Sequence, residues 1–592
     1  MEAGGAPVIL ASLRGLAERE RIVEEPAFIS LGVRWVIDIA IDGRFLSLRD
    51  TSFISASSGR RKSKPQPQTM SIPRRSGRTS TAKAEFLVDK SEYVLGTAPA
   101  AEGQDPSRFR RLHQLFVAEM QRAQTKLQSP EMEAALRFMT DPRERGRCVT
   151  ELGEQNYASN DLFTFRVDGR FLHDLDIVRA FCAEQTSALQ QKGKRSRQCL
   201  VCGQDCQPSP KHEGIQLAGG GAHGVPLVSF GKPAFWKHGL TGNENAPVCR
   251  PCMVAYTTAL RRLLKGYPNP EGGNFEPQRV LLTADTTAVF WSQEESPLVR
   301  QLPMLNENPL ALEELVNSPG QPWGAPETPF HCLLLTGTIG RAIPRGMHTS
   351  TLGAVRDSLK LYFECLHASG YANDTAPLHV LLRSLAVGWR LDRLASGLAG
   401  EVFVSAVLGQ KLSRRTLLAA VGRSRAEQKV NRPRAALLQV YFKLLRKKEF
   451  AMALDPASLD PAYRYGRLLA VLEGLQYSAR RRKPTSTIVD HFYRAASTRP
   501  AVAFPQLLGQ AQDHLHRLKA PHLVSGFKRQ IEEIMSGLDG AAGFRPTLNI
   551  EEQGRFALGY FHERSAHFSE LENAPSRDIE SRNLTEIEKE QE

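Results

Sequence analysis

Apolar positions recur along this chain with two periods, and the change of period divides it. Up to about residue 350, β-rich stretches alternate with helical ones. VRWVIDIAIDGRFLSL (33–48) reads as two β arms around Asp42-Gly43, a pair suited to the positive φ of a tight hairpin turn. LFTFRVDGRFLHD (162–174) repeats the arrangement around Asp168-Gly169, and RVLLTADTTAVFW (279–291) and FHCLLLTGTI (330–339) are further strands. Between them, Phe109, Leu112, Phe116, Met120 and Ala123 predict a helix over 109–127. After residue 351 the stripes are helical throughout. Leu352, Val355, Leu359, Tyr362 and Leu366 form one, and Tyr465, Leu468, Leu469, Leu472 and Leu475 another. Leu507, Leu508, Ala511, Leu515 and Leu518 form a third, and Phe527, Ile531, Ile534 and Leu538 a fourth. Stripes of this kind build cores, so a bundle is predicted over 351–564. The polar, mostly acidic stretch 565–592 reads as a flexible tail.

The expected fold class is α+β: a mixed α/β N-terminal lobe with an inserted four-cysteine zinc module, followed by a C-terminal helical bundle. The expected boundaries are 1–195 for an α+β region carrying a basic loop at 57–83, and 196–266 for a zinc-knuckle module with a glycine-rich loop. A strand-rich remainder of the N-terminal lobe then fills 267–350.

The chain has 592 residues, enough for several domains, and 41% hydrophobic content supplies their cores, which argues against collagenous, coiled-coil or wholly disordered classes. No apolar run approaches a bilayer span, and the N-terminus lacks a basic region followed by an apolar stretch. The expectation is a soluble, cytoplasmic, prokaryotic protein with no membrane partner. Nine cysteines, an odd number in so long a chain, point to metal ligands and buried thiols rather than a disulfide framework.

Two C-x-x-C pairs carry the clearest chemistry. Cys199 and Cys202 lie in CLVCG, and Cys249 and Cys252 in CRPC. Two residues between cysteines let both thiolates of a pair reach one tetrahedral ion from a tight turn, and two such turns close a four-sulfur zinc site. Such a site has no open position, so one structural zinc per chain is expected. Four unligated thiols or a redox pair are the alternatives, and Cys206 is near enough to replace a ligand. Cys148, Cys182, Cys332 and Cys365 read as small buried hydrophobes.

Charge changes the picture further. There are 77 Lys+Arg against 63 Asp+Glu, a net charge of +14. Spread evenly, this excess only solubilises; clustered, it favours a polyanion. It is clustered. Residues 57–83 hold Arg60, Arg61, Lys62, Lys64, Arg74, Arg75, Arg78 and Lys83 with no acid, on a Pro/Ser/Gly/Gln-rich loop that suits a phosphate backbone. A second concentration at 411–448 includes Arg414, Arg415, Arg432 and Arg434 against only Glu427, and a third is Arg480-Arg481-Arg482-Lys483. Between the cysteine pairs, Gly219-Gly220-Gly221 offers a side-chain-free loop whose amides can approach a phosphate or a narrow groove. It lacks the Gly-Lys-Ser/Thr ending of a P-loop. Catalytic signatures are sparse: His173-Asp174 is a lone dipeptide without the further ligands a metal-dependent nuclease needs, and there is no Ser elbow or H-E-x-x-H.

These features meet in one resemblance. VILASLRGL (8–16), AEFLVDKSEYVLG (84–96), FRVDGRFLHD (165–174), QCLVCG (198–203), PLVSFGKPAF (226–235), NAPV (245–248) and AYTTALRRLL (255–264) occur in order. GRAIPRG (340–346), DPAYRYGRLLAVLEGLQ (460–476) and EEQGRFALGYFHER (551–564) follow, the last being the most specific. The chain resembles the large subunit of the type I-C CRISPR surveillance complex, Cascade, over nearly its whole length. The resemblance implies a non-catalytic subunit beside the guide's 5′ region in a crRNA-bound complex. It would recognise the protospacer-adjacent motif (PAM) in duplex DNA, promote strand separation and R-loop formation, and stabilise the displaced strand. Its partners would be crRNA, target DNA, the backbone, crRNA-processing and small helical subunits, and a helicase–nuclease recruited afterwards.

By analogy with related large subunits, Gly219–Gly221 are glycine-loop candidates for reading the minor groove. Lys62, Lys64 and Lys83 are finger candidates, and Gln66, Gln68 and Gln216 wedge candidates. The resemblance also implies a small subunit made by internal initiation. Met452 would start a product of 592 − 452 + 1 = 141 residues. The four-cysteine set is not universal in that family, so the zinc rests on spacing. A nucleic-acid-processing nuclease and a stand-alone zinc-dependent DNA-binding regulator are the competing readings.

Overall fold

A computed structural model describes residues 9–22, 25–52, 67–75, 82–99, 106–191, 196–221, 224–268, 274–318, 323–368, 376–446, 451, 453–480, 486–538 and 543–572. Arg60, Arg61, Lys62, Lys64, Gln66, Arg78, Arg481, Arg482, Lys483, Met452 and the segment 573–592 lie outside the described residues. The fold is α+β, as the two hydrophobic periods imply. It divides into two compact units, Met1–Ile215 with Pro226–Phe275, and Gln216–Val225 with Glu276–Glu592.

In the first unit the strand Trp35–Ile39 is buried at every residue. It pairs antiparallel with Phe45–Asp50 and parallel with Leu162–Val167, from Trp35 opposite Phe163 to Ile39 opposite Val167. A parallel pair needs a long crossover. The intervening chain supplies one that includes the helices Pro106–Leu127, Pro130–Thr140 and Pro142–Gly153. Ser129 and Asp141 cap the second and third, each followed by a proline whose missing N–H costs nothing there. Both Asp-Gly turns form where expected: Asp168 and Gly169 have φ of 44° and 83°. Gly43, at φ 93°, is required sterically as well, because a Cβ there would meet Arg137 Cβ at 2.6 Å. Phe116, Phe138, Phe163 and Phe165 fill the core. Buried Asp38 pairs with Arg166 directly across the parallel strands, Nη2 donating to Oδ2 at 2.8 Å.

In the second unit a four-stranded antiparallel sheet runs Arg279–Leu281, Thr286–Ser292, Pro329–Thr338, Arg341–Thr351. The single strand expected over 279–291 is therefore a hairpin, closed where the Thr283 hydroxyl donates to Asp285 at 2.7 Å. The expectation that 267–350 completes the N-terminal lobe is corrected over this sheet. Its residues share one core with the helices, Val280, Phe290, Phe330 and Leu334 packing with Leu352, Val355 and Phe403. The apolar sheet face runs directly into the helix Leu352–Ala368, so its nearest cover is local. The Phe290 and Phe403 rings stack at 6.2 Å.

The helices Pro461–Ala479 and Ile550–Glu572 hold the bundle together, the latter continuing past residue 564, where the tail was expected to begin. They touch backbone to backbone. A Cβ on Gly466 would lie 2.0 Å from Phe556 O, and one on Gly559 the same distance from Tyr463 O. Around this crossing Tyr560 donates to Glu473 at 2.7 Å and Arg467 to Glu563 at 2.6 Å, both buried. Gly559→Ala is expected to destabilise the second unit by about 2 kcal/mol, seen as a lower urea midpoint. Gly509→Ala, where no heavy atom lies within 4 Å, is the control that leaves it unchanged or slightly raised.

Candidate functional site

The first knuckle is a short hairpin. Arg197 pairs with Cys206 and Gln198 with Asp205, and the chain turns between them through Cys199–Gly203, with Gly203 at φ 73°. The second knuckle opens a helix: Cys249 is the N-cap of Arg250–Lys265, Pro251 sits in its first turn, and Cys252 follows on the same turn. The four sulfurs lie within 4.8 Å of one another. Cys202 Sγ and Cys249 Sγ are 3.8 Å apart. A tetrahedral zinc–thiolate site with bonds near 2.3 Å has sulfur–sulfur edges of about 3.8 Å. The two pairs expected from spacing are thus brought together as one donor set. Among the described residues it is the one group of three or more Cys, His, Asp or Glu whose ligand atoms converge. Cys206 lies outside it.

Electrostatics favour a cation here. Burial works against ionisation of Cys199, but amides of Cys249, Cys202 and Val201 outweigh it and bring the thiol down to about 6. The Cys249 N–H points at Cys199 Sγ from 3.3 Å. Burial and the neighbouring sulfurs raise Cys249 to about 11 and push Cys252 upward as well. One thiolate forms readily, while its neighbours resist a second negative charge unless a metal compensates it. Spacing alone does not find Arg14, on the helix Ile9–Arg19, whose Nη1 donates to Cys252 Sγ at 3.4 Å. The same first helix and its sequel are tied to the cysteine helix by Arg262 to Glu20 at 2.7 Å and by Arg250 to the Pro26 carbonyl at 3.1 Å. Nothing in the sequence around Arg14 announces this; it follows from the packing of the two helices.

The candidate nucleic-acid residues separate into inward and outward groups. The Arg74 side chain is largely withdrawn from solvent, donating to the carbonyls of Pro26 and Phe28 and pairing with Glu213. Arg75 is half-buried beside the wholly buried carboxylate of Asp89 at 3.4 Å. Arg434 is fully buried, its guanidinium donating to Ser384 O at 2.8 Å, to Lys429 O and to Glu427. These three side chains are committed to the fold. Arg414, Arg415, Arg432 and Arg480 are exposed, Arg415 anchored by a bond to Ser396 O at 2.8 Å. Lys83, Gln68 and Gln216 are also exposed.

Two glycines of the triplet have an internal explanation. A Cβ on Gly219 would sit 2.6 Å from Gly337 O, and one on Gly220 would strike Val225. Gly221, at φ 79°, is exposed and faces open space. His173 is buried against Phe171 with Nδ1 3.2 Å from the Thr164 hydroxyl, and burial lowers its proton affinity.

The family model for CRISPR-associated protein (Cas_Csd1) matches residues 13–568, nearly the whole chain. The chain belongs to this family. Cas_Csd1 proteins are the type I-C large subunits, so the chain is a CRISPR-associated Cascade subunit and works in a complex with other Cas subunits. No curated protein matches it. The Cas_Csd1 match covers both cysteine pairs and the exposed arginines. No helix among the described residues is long and apolar enough to cross a membrane.

Two outcomes follow from this geometry. Metal analysis of the dialysed protein should find about one zinc per chain, and Cys252→Ser should lower both metal content and melting temperature. Because the ligands bind as thiolates, metal retention should fall as pH is lowered. A protein equally stable and metal-free in both forms would contradict the assignment. Separately, Arg74→Ala should cost about 1–3 kcal/mol of stability, measured by urea unfolding, since it leaves the carbonyls of Pro26 and Phe28 without their donor while Glu213 keeps Arg261.

Proposed function

We propose that this chain is the non-catalytic, DNA-recognising large subunit of a crRNA-guided Cascade complex in the cytoplasm of a prokaryote. In this reading it recognises the protospacer-adjacent motif in duplex DNA, promotes strand separation and steadies the displaced strand. A helicase–nuclease is recruited afterwards to cut. Guide pairing supplies sequence specificity while the protein reads a short motif and duplex shape, a division of labour that RNA-guided effectors use. The four thiolates hold a structural zinc, which fills its own coordination sphere and leaves no position for water or substrate.

The observation that carries the reading is the family match over residues 13–568. The exposed cations Arg414, Arg415 and Arg432 support it, being placed to meet phosphates. Gly221 remains a candidate for close approach to a groove. His173, the one foothold of the competing nuclease reading, is buried and so is withdrawn from any surface substrate. The lysines and glutamines outside the described residues stay as candidate motif readers, and Met452 as a candidate internal start.

Co-purification with neighbouring subunits should bring down a CRISPR RNA, and the isolated chain should not hydrolyse DNA with or without divalent metal. In the assembled complex, replacing Arg414, Arg415 and Arg432 by alanine should flatten the log–log salt dependence of target binding by about 0.9 for each phosphate no longer neutralised. An unchanged slope removes these arginines from the DNA track. Absence of guide RNA from the purified assembly sinks the reading itself.

A further inference from the structure

Between the two knuckles the chain displays a segment that neither the metal nor the hydrophobic core explains. FGKPAFWKHGL (230–240) contains Lys232, Lys237 and His238 and no acid. Residues 231–234 and 236–239 are all exposed, and Trp236 keeps 42% of its surface in water. An indole contributes a large area when buried, so leaving one on a surface loop forgoes about 1–2 kcal/mol with nothing in the fold to recover it.

The segment is nevertheless built rigidly. Trp236 donates its indole N–H to the Phe230 carbonyl at 2.9 Å, closing the loop on itself. Buried Asn243 donates to Ser209 O at 3.2 Å, and its Oδ1 accepts from the Phe230 amide. Asn245 accepts from the Lys237 amide at 3.1 Å and donates to the carbonyls of Leu240 and Gly242. Thr241 and Glu244 complete a capping box on the short turn between them. The segment then runs into Pro247 and Val248, whose carbonyls accept from Leu200 and Ser209 beside the first knuckle. The loop is thus shaped by two asparagines and seated at the four-sulfur centre. Order is spent on presenting an aromatic face between cations.

That combination has a chemistry. A flat ring on a rigid protruding loop can stack on a base only when the base is unstacked from its own strand, and flanking lysines then reach the phosphates on either side. In a duplex the base faces are hidden. We propose that residues 230–240 form a binding site for single-stranded nucleic acid, with Trp236 as the stacking platform and Lys232, Lys237 and His238 as the phosphate contacts. The site deepens the Cascade reading and rests on it for its natural ligand, which is a strand of the guide or of the opened target.

The test uses the full-length, zinc-loaded chain with oligothymidylate and oligouridylate, each also prepared with a photoreactive halogenated base. Trp236→Ala should weaken oligonucleotide binding roughly 5- to 150-fold, the range that removing one stacked base implies. Trp236→Phe should stay within a few-fold of wild type. Lys232→Ala with Lys237→Ala should reduce the salt slope by about 0.7 per phosphate left unneutralised, the single-strand value. Crosslinks should map to the 230–240 peptide, and preference for the DNA or the RNA probe identifies the source strand. An unchanged melting temperature and zinc content certify that each variant is folded.

Motif-dependent duplex binding by the assembled wild-type complex is measured in parallel. If that fails while Trp236 still governs single-strand affinity, the recognition reading falls and the site stands. If Trp236→Ala binds both oligonucleotides as wild type does, the site is overturned. Failure to assemble with the other subunits at unchanged oligonucleotide affinity makes the loop a protein-docking surface instead, and overturns it equally.

Discussion

Four sulfur atoms held within 4.8 Å impose a condition on everything around them. Thiols packed that closely cannot all ionise against one another, yet the backbone amides already aimed at Cys199 prepare it to be a thiolate. A divalent cation held there would resolve the conflict and join two turns that are 46 residues apart in sequence, from Gly203 to Val248. One of these turns is the start of the helix Arg250–Lys265, which is buried along most of its length. Fixing its first turn therefore fixes a rod in the first unit. Arg14, Arg250 and Arg262 extend that constraint to the N-terminal helix and its sequel. The knuckle hairpin gains a partner through Leu200 and Ser209, so the four-sulfur set, the helix and the loop 230–240 share one foundation.

The sequence was legible where chemistry depends on spacing. The C-x-x-C pairs, the Asp-Gly turns and the helical stripes each follow from a local rule about which positions share a turn or a face, and each is found in place. It was not legible where the question is which way a charged side chain points. Arg432 and Arg434 lie in one basic run, yet the first is exposed and the second has no exposure at all. On a helix, residues two positions apart are rotated by about 200°, so a charge run necessarily visits both faces. Composition counts them equally; burial separates them.

Glycine shows the same ambiguity in another form. A side-chain-free loop signals that some backbone must come close, but not whose. Gly219 makes room for the carbonyl of Gly337, and Gly466 and Gly559 make room for a neighbouring helix, all within the second unit. The partner of the sheet at 279–351 is hidden from the sequence for a related reason. Strand periodicity specifies an apolar face and says nothing of the surface that will cover it, which here is supplied by the helix that follows.

The net charge of +14 therefore divides into two populations with different physics. Arg74, Arg434, Arg464 and Arg467 are internal, and much of their hydrogen bonding goes to carbonyl oxygens, which satisfy a guanidinium without cancelling its charge. A planar five-donor group suits that task, because it can serve several acceptors at once and is weakly hydrated. Lysine does not suit it. Its compact, strongly hydrated ammonium favours the surface, and the display loop beside the sulfur centre carries lysines and no arginine. Burial and bonding partner thus separate charge that holds the fold from charge held out for a partner, and on that criterion Lys232 and Lys237 belong to the second kind, together with the exposed Arg414, Arg415 and Arg432.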